Sequence, residues 1–301
     1  GCVPSKAVIR AARMAEEARR ARRLLGYGPD EAARPDFAAA FERMRQVRAK
    51  ISHEDSAERY RDEFGVEVFL GRARFTGPET LEVEGTELRF RKAVIATGAR
   101  PVAPPVPGLA EAGYLDNESV FTLTERPARL AVIGAGPIGC ELAQAFRRLG
   151  SEVHLLERAD QILTREDPDA AAIVEAALRR DGVQITEGCE VERVEREGET
   201  KRLHLHCKGG ESRRLDVDAI LVGAGRAPNV EDLGLDAAGV ATEARQGVVV
   251  DDHLRTTNRR IWAAGDVCMK WKFTHAADAA AKIVGQNALF AVGPLGRRRL
   301  S

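Results

Sequence analysis

The sequence predicts an α/β fold of two domains. Three observations predict it. At 301 residues the chain is long enough for two separately cored domains. Residues 129–158, RLAVIGAGPIGCELAQAFRRLGSEVHLLER, read as strand, glycine loop, helix, strand and acidic residue. PVAPPVPG at 101–108 fits neither helix nor central strand and reads as a crossing from one domain into the next.

The elements follow in order. Residues 5–25 are alanine-rich and predict a helix, with Ser5 as its N-cap. GCVPSK at 1–6 sets Cys2 just ahead of that helix, where the positive end of the helix dipole favours a thiolate. Lys6 adds a cation one turn further on. These six residues alone are equally compatible with a buried cysteine beside a surface lysine. The arginines of residues 10–23 form the solvated face of the helix. GYGPDEAARP at 26–35 is a polar loop. Phe37, Phe41, Met44, Val47 and Ile51 mark the buried face of a second helix running to about Phe64. Short strands are expected around 66–70, 80–84, 86–90 and 94–98.

Leu130–Ile133 reads as a buried parallel strand, and Val153–Leu156 as a second one ending at Glu157. Ile138, Leu142, Phe146 and Leu149 recur between them at helical spacing. Gly134 permits the tight turn, Gly136 a close approach of backbone to a pyrophosphate, and Gly139 close packing of helix on strand. In this context the glycines form a dinucleotide-binding fingerprint, with the diphosphate resting on the free N–H groups of the helix start. Glu157 is placed to accept ribose hydroxyls and repel a 2′-phosphate, which favours NADH over NADPH. Arg158 beside it argues the other way, because a guanidinium pairs with that phosphate. A helix near 168–181, an antiparallel ribbon around 189–217 and a strand at 219–222 complete this domain.

Composition limits the partners. Forty-six basic residues balance 46 acidic ones, so no net charge draws the chain to nucleic acid or a membrane surface. No run approaches the about 18 apolar residues of a membrane span, and no signal peptide opens the chain. The 5 cysteines are odd in number and scattered, unlike a disulfide framework. Cys140, Cys189 and Cys207 read as inert core thiols, and Cys268 stands two residues after Asp266. No pattern of metal ligands is present, so no metal is expected.

Taken together, the motifs resemble those of the class I pyridine nucleotide-disulfide oxidoreductases. That family includes dihydrolipoamide dehydrogenase, glutathione reductase and mercuric reductase. GCVPSK resembles its redox-cysteine segment, VIATGARP (94–101) its flavin-domain strand end, and GAGPIGCE its nicotinamide loop. GAGRAPN (223–229) resembles its GRxPN segment, and TTNRRIWAAGD (256–266) its second flavin motif. FTHAADAAAKIVGQNALF (273–290) is most similar to the helix of mercuric-reductase-like members.

The resemblance implies two Rossmann-like, three-layer FAD/NAD(P)-binding domains. Residues 1–126 would begin the FAD domain, 127–245 form the inserted NAD(P) domain, and 246–301 return to the FAD domain. It implies hydride transfer from a nicotinamide to FAD and then to a disulfide containing Cys2, the thiol nearest the flavin. Lys6 would lie near flavin N5 and pair with Glu141, for which a plain helix-surface role is the alternative. Asp266, with Gly265, would hold the ribityl chain. Thr97 and Gly98 would approach the flavin's diphosphate side, unless they form a simple strand-end turn.

Thr274 and His275 would start the last flavin helix, with His275 as a backbone and packing contact. Val191 and Gly225 would lie on the nicotinamide side, with Gly134, Gly136, Pro137, Gly139 and Glu157. Arg226 is expected in structural ion pairs. Pro137 stands in a loop where some members carry an aromatic lid, so access for the nicotinamide is expected to be more open. The terminal acceptor implied is Hg(II), with a lipoyl-type disulfide as the alternative. The expected setting is a cytoplasmic homodimer.

The family pattern also has a second cysteine shortly before the position of Cys2, a first GxGxxG before Gly1, and a C-terminal dimerisation domain with a His-Glu pair. The 301 residues therefore read as the middle of a longer enzyme. The contrasting reading is a non-catalytic, truncated nucleotide-binding fragment.

Overall fold

The computed structural model describes residues 2–26, 35–290 and 297–300. The expected loop at 26–35 falls largely outside them. The chain divides into two compact units, residues 1–56 with 101–225 and residues 57–100 with 226–301. These breaks differ from the expected boundaries at 127 and 245. Residues 101–126 join the first unit because Leu115 N–H donates to Ile220 O at 2.7 Å and Val222 N–H to Leu115 O at 2.8 Å. The first helix joins it by packing along the glycine-loop helix.

The first unit is built on a four-stranded parallel sheet in the order Ala219–Val222, Arg129–Ile133, Glu152–Leu156, Gln184–Thr186. Alternation along each strand sends neighbours to opposite faces. Leu130, Val132, Val153, Leu155 and Leu221 pack with Val8, Phe37, Phe41, Met44, Phe146 and Leu178 on one face. Those side chains come from the helices Cys2–Leu25, Phe37–Ser52, Pro137–Arg148 and Pro168–Arg180. Ala131, Ile133, Leu156, Ile220 and Val222 pack on the other face with Val191, Val194, Leu203, Leu205 and Val217. These last belong to a three-stranded antiparallel sheet, Cys189–Glu197, Thr200–Cys207 and Ser212–Val217. The unit is therefore three-layered: helices, parallel sheet, antiparallel sheet.

The second unit holds a three-stranded antiparallel meander, Ala73–Gly77, Thr80–Val83 and Thr86–Arg89. It also holds a parallel pair, Ala93–Ile95 with Ile261–Ala263. Ile261 and Ala263 face one apolar cluster with Ile95, Leu235 and Val267. Trp262 and Ala264 face another with Ala280 and Val284 of the helix Thr274–Gly285.

Several expectations are corrected. The first helix starts at Cys2, not at residue 5; Pro4 falls in its first turn, where a missing N–H does no harm. Ser5 is thus inside the helix and donates to Cys2 O at 2.9 Å instead of capping. The second helix stops at Ser52, and a separate short helix, Ala57–Asp62, follows. The polar run between them ends one compact unit and begins the other. Residues 66–70 are irregular with Leu70 78% exposed, and the first strand lies at Ala73–Gly77. Ile138 is exposed while Leu142, Phe146 and Leu149 are buried. No helix of the described residues is long and apolar enough to cross a membrane.

Candidate functional site

In the first unit, the parallel strand Arg129–Ile133 delivers the chain into the glycine loop, and each glycine meets a distinct requirement. Gly134 sits at φ +97°, in the region that disfavours side chains, with the Gly223–Ala224 backbone close beside it. A Cβ on Gly139 would overlap the Gly134 carbonyl oxygen. Gly136 is different: its backbone is extended, and a Cβ there would meet nothing within 4 Å. That space lies at the start of the helix Pro137–Arg148, where Gly136 offers no side-chain cap and Pro137 occupies the first turn. The helix-start N–H groups thus face an open cradle that suits a diphosphate.

Glu157 closes this loop. Its Oε2 accepts from Ala135 N–H at 2.8 Å and its Oε1 from Ala159 N–H at 3.0 Å. The carboxylate ties the glycine loop to the end of the second strand, and its remaining lone pairs are available to ribose hydroxyls. Arg158 is 79% exposed and only 3.9 Å from Glu190, so it is loosely held. Val191 is buried in the core opposite Leu205. Gly225 has φ +153° with open space around it and accepts from Val102 N–H at 3.2 Å.

Cys2, exposed, opens the first helix, and Lys6 follows one turn later on the same face. Lys6 Nζ donates to both oxygens of Glu141, at 2.7 and 2.6 Å. The expected pair therefore forms, though in the open: the side chains are 59% and 44% exposed. Cys140, next in sequence, points inward and donates through Sγ to Ala135 O at 3.3 Å. Burial pushes its thiol up to about 12, with the Glu157 and Glu141 charges adding to the effect.

In the second unit, Thr97 Oγ1 donates to Asn229 O at 2.7 Å, and Asn229 Nδ2 donates back to Thr97 O at 2.9 Å. Asn229 N–H reaches Gly98 O at 2.9 Å, and Gly98, at φ +71°, has open space beyond it. Asn229 was not among the expected site residues. Its signal was present in the sequence as the last residue of GAGRAPN.

Asp266 lies 3.4 Å from Arg226, which also donates to Ala99 O at 2.7 Å. The buried Arg226 Nε has no hydrogen-bond partner among the described residues. An orphaned buried donor beside a carboxylate at a glycine turn, Gly265 at φ +79°, suits a polar ligand with several oxygens. Thr274 begins the helix Thr274–Gly285, and the exposed His275 stacks on Phe273 with ring centroids 5.5 Å apart. Burial pushes the Cys268 thiol up to about 12, and its Sγ reaches Gly265 O at 3.6 Å.

Cys189 and Cys207 correct the expectation of inert thiols: they form a disulfide. They face each other as the terminal pair of their ladder, which only a bulge between His204 and Leu205 allows. Without the bulge Cys207 would oppose Glu190. The exposed neighbours Glu192 and Arg193 interrupt the alternation and are the sequence mark of that bulge.

A family model described as pyridine nucleotide-disulphide oxidoreductase matches residues 1–281. The chain belongs to this family of oxidoreductases and has its α/β fold. Mercuric reductase of Bacillus cereus is 35% identical over 289 residues, 96% of this chain and 45% of that protein. The probable pyridine nucleotide-disulfide oxidoreductase RclA of Escherichia coli is 33% identical over 280 residues, 91% of this chain and 58% of its own. The solved structure of the HOCl-induced flavoprotein disulfide reductase RclA from Escherichia coli matches with TM-score 0.83 at 31% identity, covering 100% of this chain and 62% of that one. The chain spans about half the length of the curated relatives it matches.

Proposed function

We propose that the chain is the nucleotide-handling core of an FAD-dependent NAD(P)H oxidoreductase that reduces a disulfide containing Cys2. The observation that carries this reading is the Lys6–Glu141 ion pair. It joins the helix of the redox-cysteine motif to the first turn after the dinucleotide loop, two motifs far apart in sequence. When bound, the nicotinamide supplies hydride and FAD accepts it as a two-electron carrier.

The chain's own residues supply binding and charge. The N–H groups at the start of the helix Pro137–Arg148 hold the dinucleotide's diphosphate. Glu157 receives its ribose and disfavours a 2′-phosphate, which makes NADH the favoured donor. Lys6 holds positive charge where a reduced flavin is negative, and Glu141 keeps its ammonium oriented. Cys2 presents its sulfur at the positive end of the first helix. Asp266 and Arg226, with Gly98 and Thr97, line the FAD position. His275 and Thr274 supply the helix start beside it.

The acceptor we favour is Hg(II), from the names of the relatives and the likeness of 273–290; a lipoyl-type disulfide is the second reading. The homodimer and its place in the cytoplasm belong to this proposal and follow from the resemblance alone. The test is rapid mixing of NADH with the FAD-loaded chain under anaerobic conditions, following the flavin absorbance. The expected result is bleaching by NADH, slowed at least roughly tenfold in Lys6→Met. No bleaching with either NADH or NADPH overturns the proposal.

A further inference from the structure

We propose that Cys189 and Cys207 form a second thiol–disulfide couple, separate from Cys2, whose state sets how tightly the adenosine end of the nucleotide is held. The inference rests on the nucleotide-binding reading of the Gly134–Glu157 loop. Both sulfurs are buried, with Cys189 5% and Cys207 6% exposed, in the cluster that contains Leu156 and Ile133. The bond therefore sits beneath the end of the strand that delivers Glu157.

Three contacts link the couple to residues 157–160, and a fourth ties its two strand ends together. Cys189 N–H donates to Glu157 O at 3.1 Å, and Gly188 N–H to Ala159 O at 2.8 Å. Lys208 N–H donates to Gly188 O at 2.9 Å, while Lys208 Nζ pairs with Asp160. Residues 157–160 are thus held on both sides by the residues that the disulfide clamps together. Glu157 in turn holds Ala135 of the glycine loop, so the clamp reaches the nucleotide cradle through one carboxylate.

Reduction changes the space the pair requires. A disulfide holds its sulfurs about 2 Å apart, whereas two unbonded thiols need roughly 3.5–4 Å. The surrounding core is close-packed, so the extra separation must come from the strand ends. Cys189 and Cys207 are the last pair of their ladder, so the shift falls on that end and moves the Gly188 and Lys208 backbone that holds residues 157–160. Opening that end also admits the attacking thiolate. The reductant is a small thiol: its thiolate cleaves the S–S bond to give a mixed disulfide, and a second thiolate releases it. Two thiols of the small molecule become one disulfide, and Cys189 and Cys207 take up two electrons and two protons. Oxidation by a small disulfide runs the exchange in reverse. With a diazene, one thiolate adds to the N=N bond and the second displaces the nitrogen, so the S–S bond forms while the diazene takes up two electrons and two protons to become a hydrazine.

The oxidised form presents a preorganised 157–160 loop and binds more tightly; the reduced form must order that loop on binding. The chain is prepared with diamide or with dithiothreitol, and ADP-ribose binding is measured by calorimetry. ADP-ribose carries the diphosphate and ribose but no nicotinamide, so no hydride chemistry intervenes. Peptide mapping without reductant should show a 189–207 linkage only in the diamide sample. The oxidised chain should bind ADP-ribose roughly three- to tenfold more tightly. That difference should vanish in Cys189→Ala/Cys207→Ala, where any effect passing through Cys2 would persist. Absence of the linked peptide overturns the proposal, as does equal or weaker binding by the linked chain. If neither form binds ADP-ribose, the nucleotide-binding reading itself fails, which the other outcomes leave standing. If the double variant does not fold, the same oxidised-against-reduced comparison in Cys2→Ser, which keeps the Cys189–Cys207 couple and removes the exposed thiol, decides: the difference should persist there, and its loss overturns the proposal.

Discussion

Glu157 performs two tasks with one carboxylate, and they separate on mutation. Its bonds to Ala135 and Ala159 N–H are structural, while its negative charge discriminates between nucleotides. Glu157→Gln keeps one acceptor oxygen but loses the charge, so stability should fall by about 1 kcal/mol. The preference for NADH over NADPH should shrink at the same time, read as the ratio of the two dissociation constants. An unchanged ratio would remove Glu157 from the discrimination.

Lys6 and Glu141 present the opposite case. Their pair is exposed, and exposed pairs contribute about 0–1 kcal/mol. Lys6→Met should leave the denaturation midpoint nearly unchanged while slowing flavin reduction; a large loss of stability would make the pair structural. Cys140 gives a pH dependence. Its thiol is pushed from an ordinary 9.0 up to about 12 by burial, so the folded state holds the proton more tightly than the unfolded chain. That contribution is fully present below pH 9 and is lost as pH rises from about 9 toward 12. Denaturation midpoints at pH 8 and 10.5 should therefore fall less in Cys140→Ala than in the parent chain. Equal falls would show that the thiol ionises without cost.

At the scale of elements, the glycine loop makes a paired prediction. Gly139→Ala puts a Cβ against the Gly134 carbonyl and should destabilise by about 1–3 kcal/mol, because helix and strand must separate. Gly136→Ala meets open space and should leave stability intact, yet weaken NADH binding by filling the cradle. Loss of stability in both variants, with binding retained in the second, would contradict the cradle. The loop was legible in sequence because its requirements are local: a turn, an approach and a close packing within a few residues. The buried strands at Leu130–Ile133 and Val153–Leu156 were legible for the same reason, since a continuous apolar run is a property of neighbours.

The failures share a different cause. Val66, Val68, Phe69 and Leu70 have the residue types of a strand, but no strand among the described residues pairs with them, and pairing is what makes a strand. The helix from Phe37 broke at Ser52 because its two halves belong to different compact units, which periodicity does not reveal. The Cys189–Cys207 bond depends on a register shift in a ladder, so counting cysteines by spacing missed it. Asn229 was overlooked because its bonds reach back to Thr97, far away in sequence.

The whole molecule distributes its candidate ligands over two units, and this makes the site assignment testable without turnover. Gly134, Gly136, Glu157 and the Lys6–Glu141 pair belong to one unit; Thr97, Arg226, Asp266 and His275 belong to the other. A ligand that binds only the native state stabilises it by about 2.7 kcal/mol at a hundredfold excess over its dissociation constant. The amides that gain hydrogen-exchange protection first are those it touches. NADH alone should therefore slow exchange at residues 134–140 and 157–160 while leaving 265–275 unchanged. FAD alone should slow exchange at 97–98, 226–229 and 265–275, and also at the first turn of the helix that begins at Cys2. That last site is the discriminating one. Protection at 265–275 without any change at Cys2–Lys6 would mean that FAD is bound but the redox-cysteine helix does not meet it. The disulfide-reducing reading would then lose its electron path, and the chain would be a nucleotide-binding fragment. Protection at both sites joins the cysteine motif to the flavin, which sequence order alone leaves as an expectation.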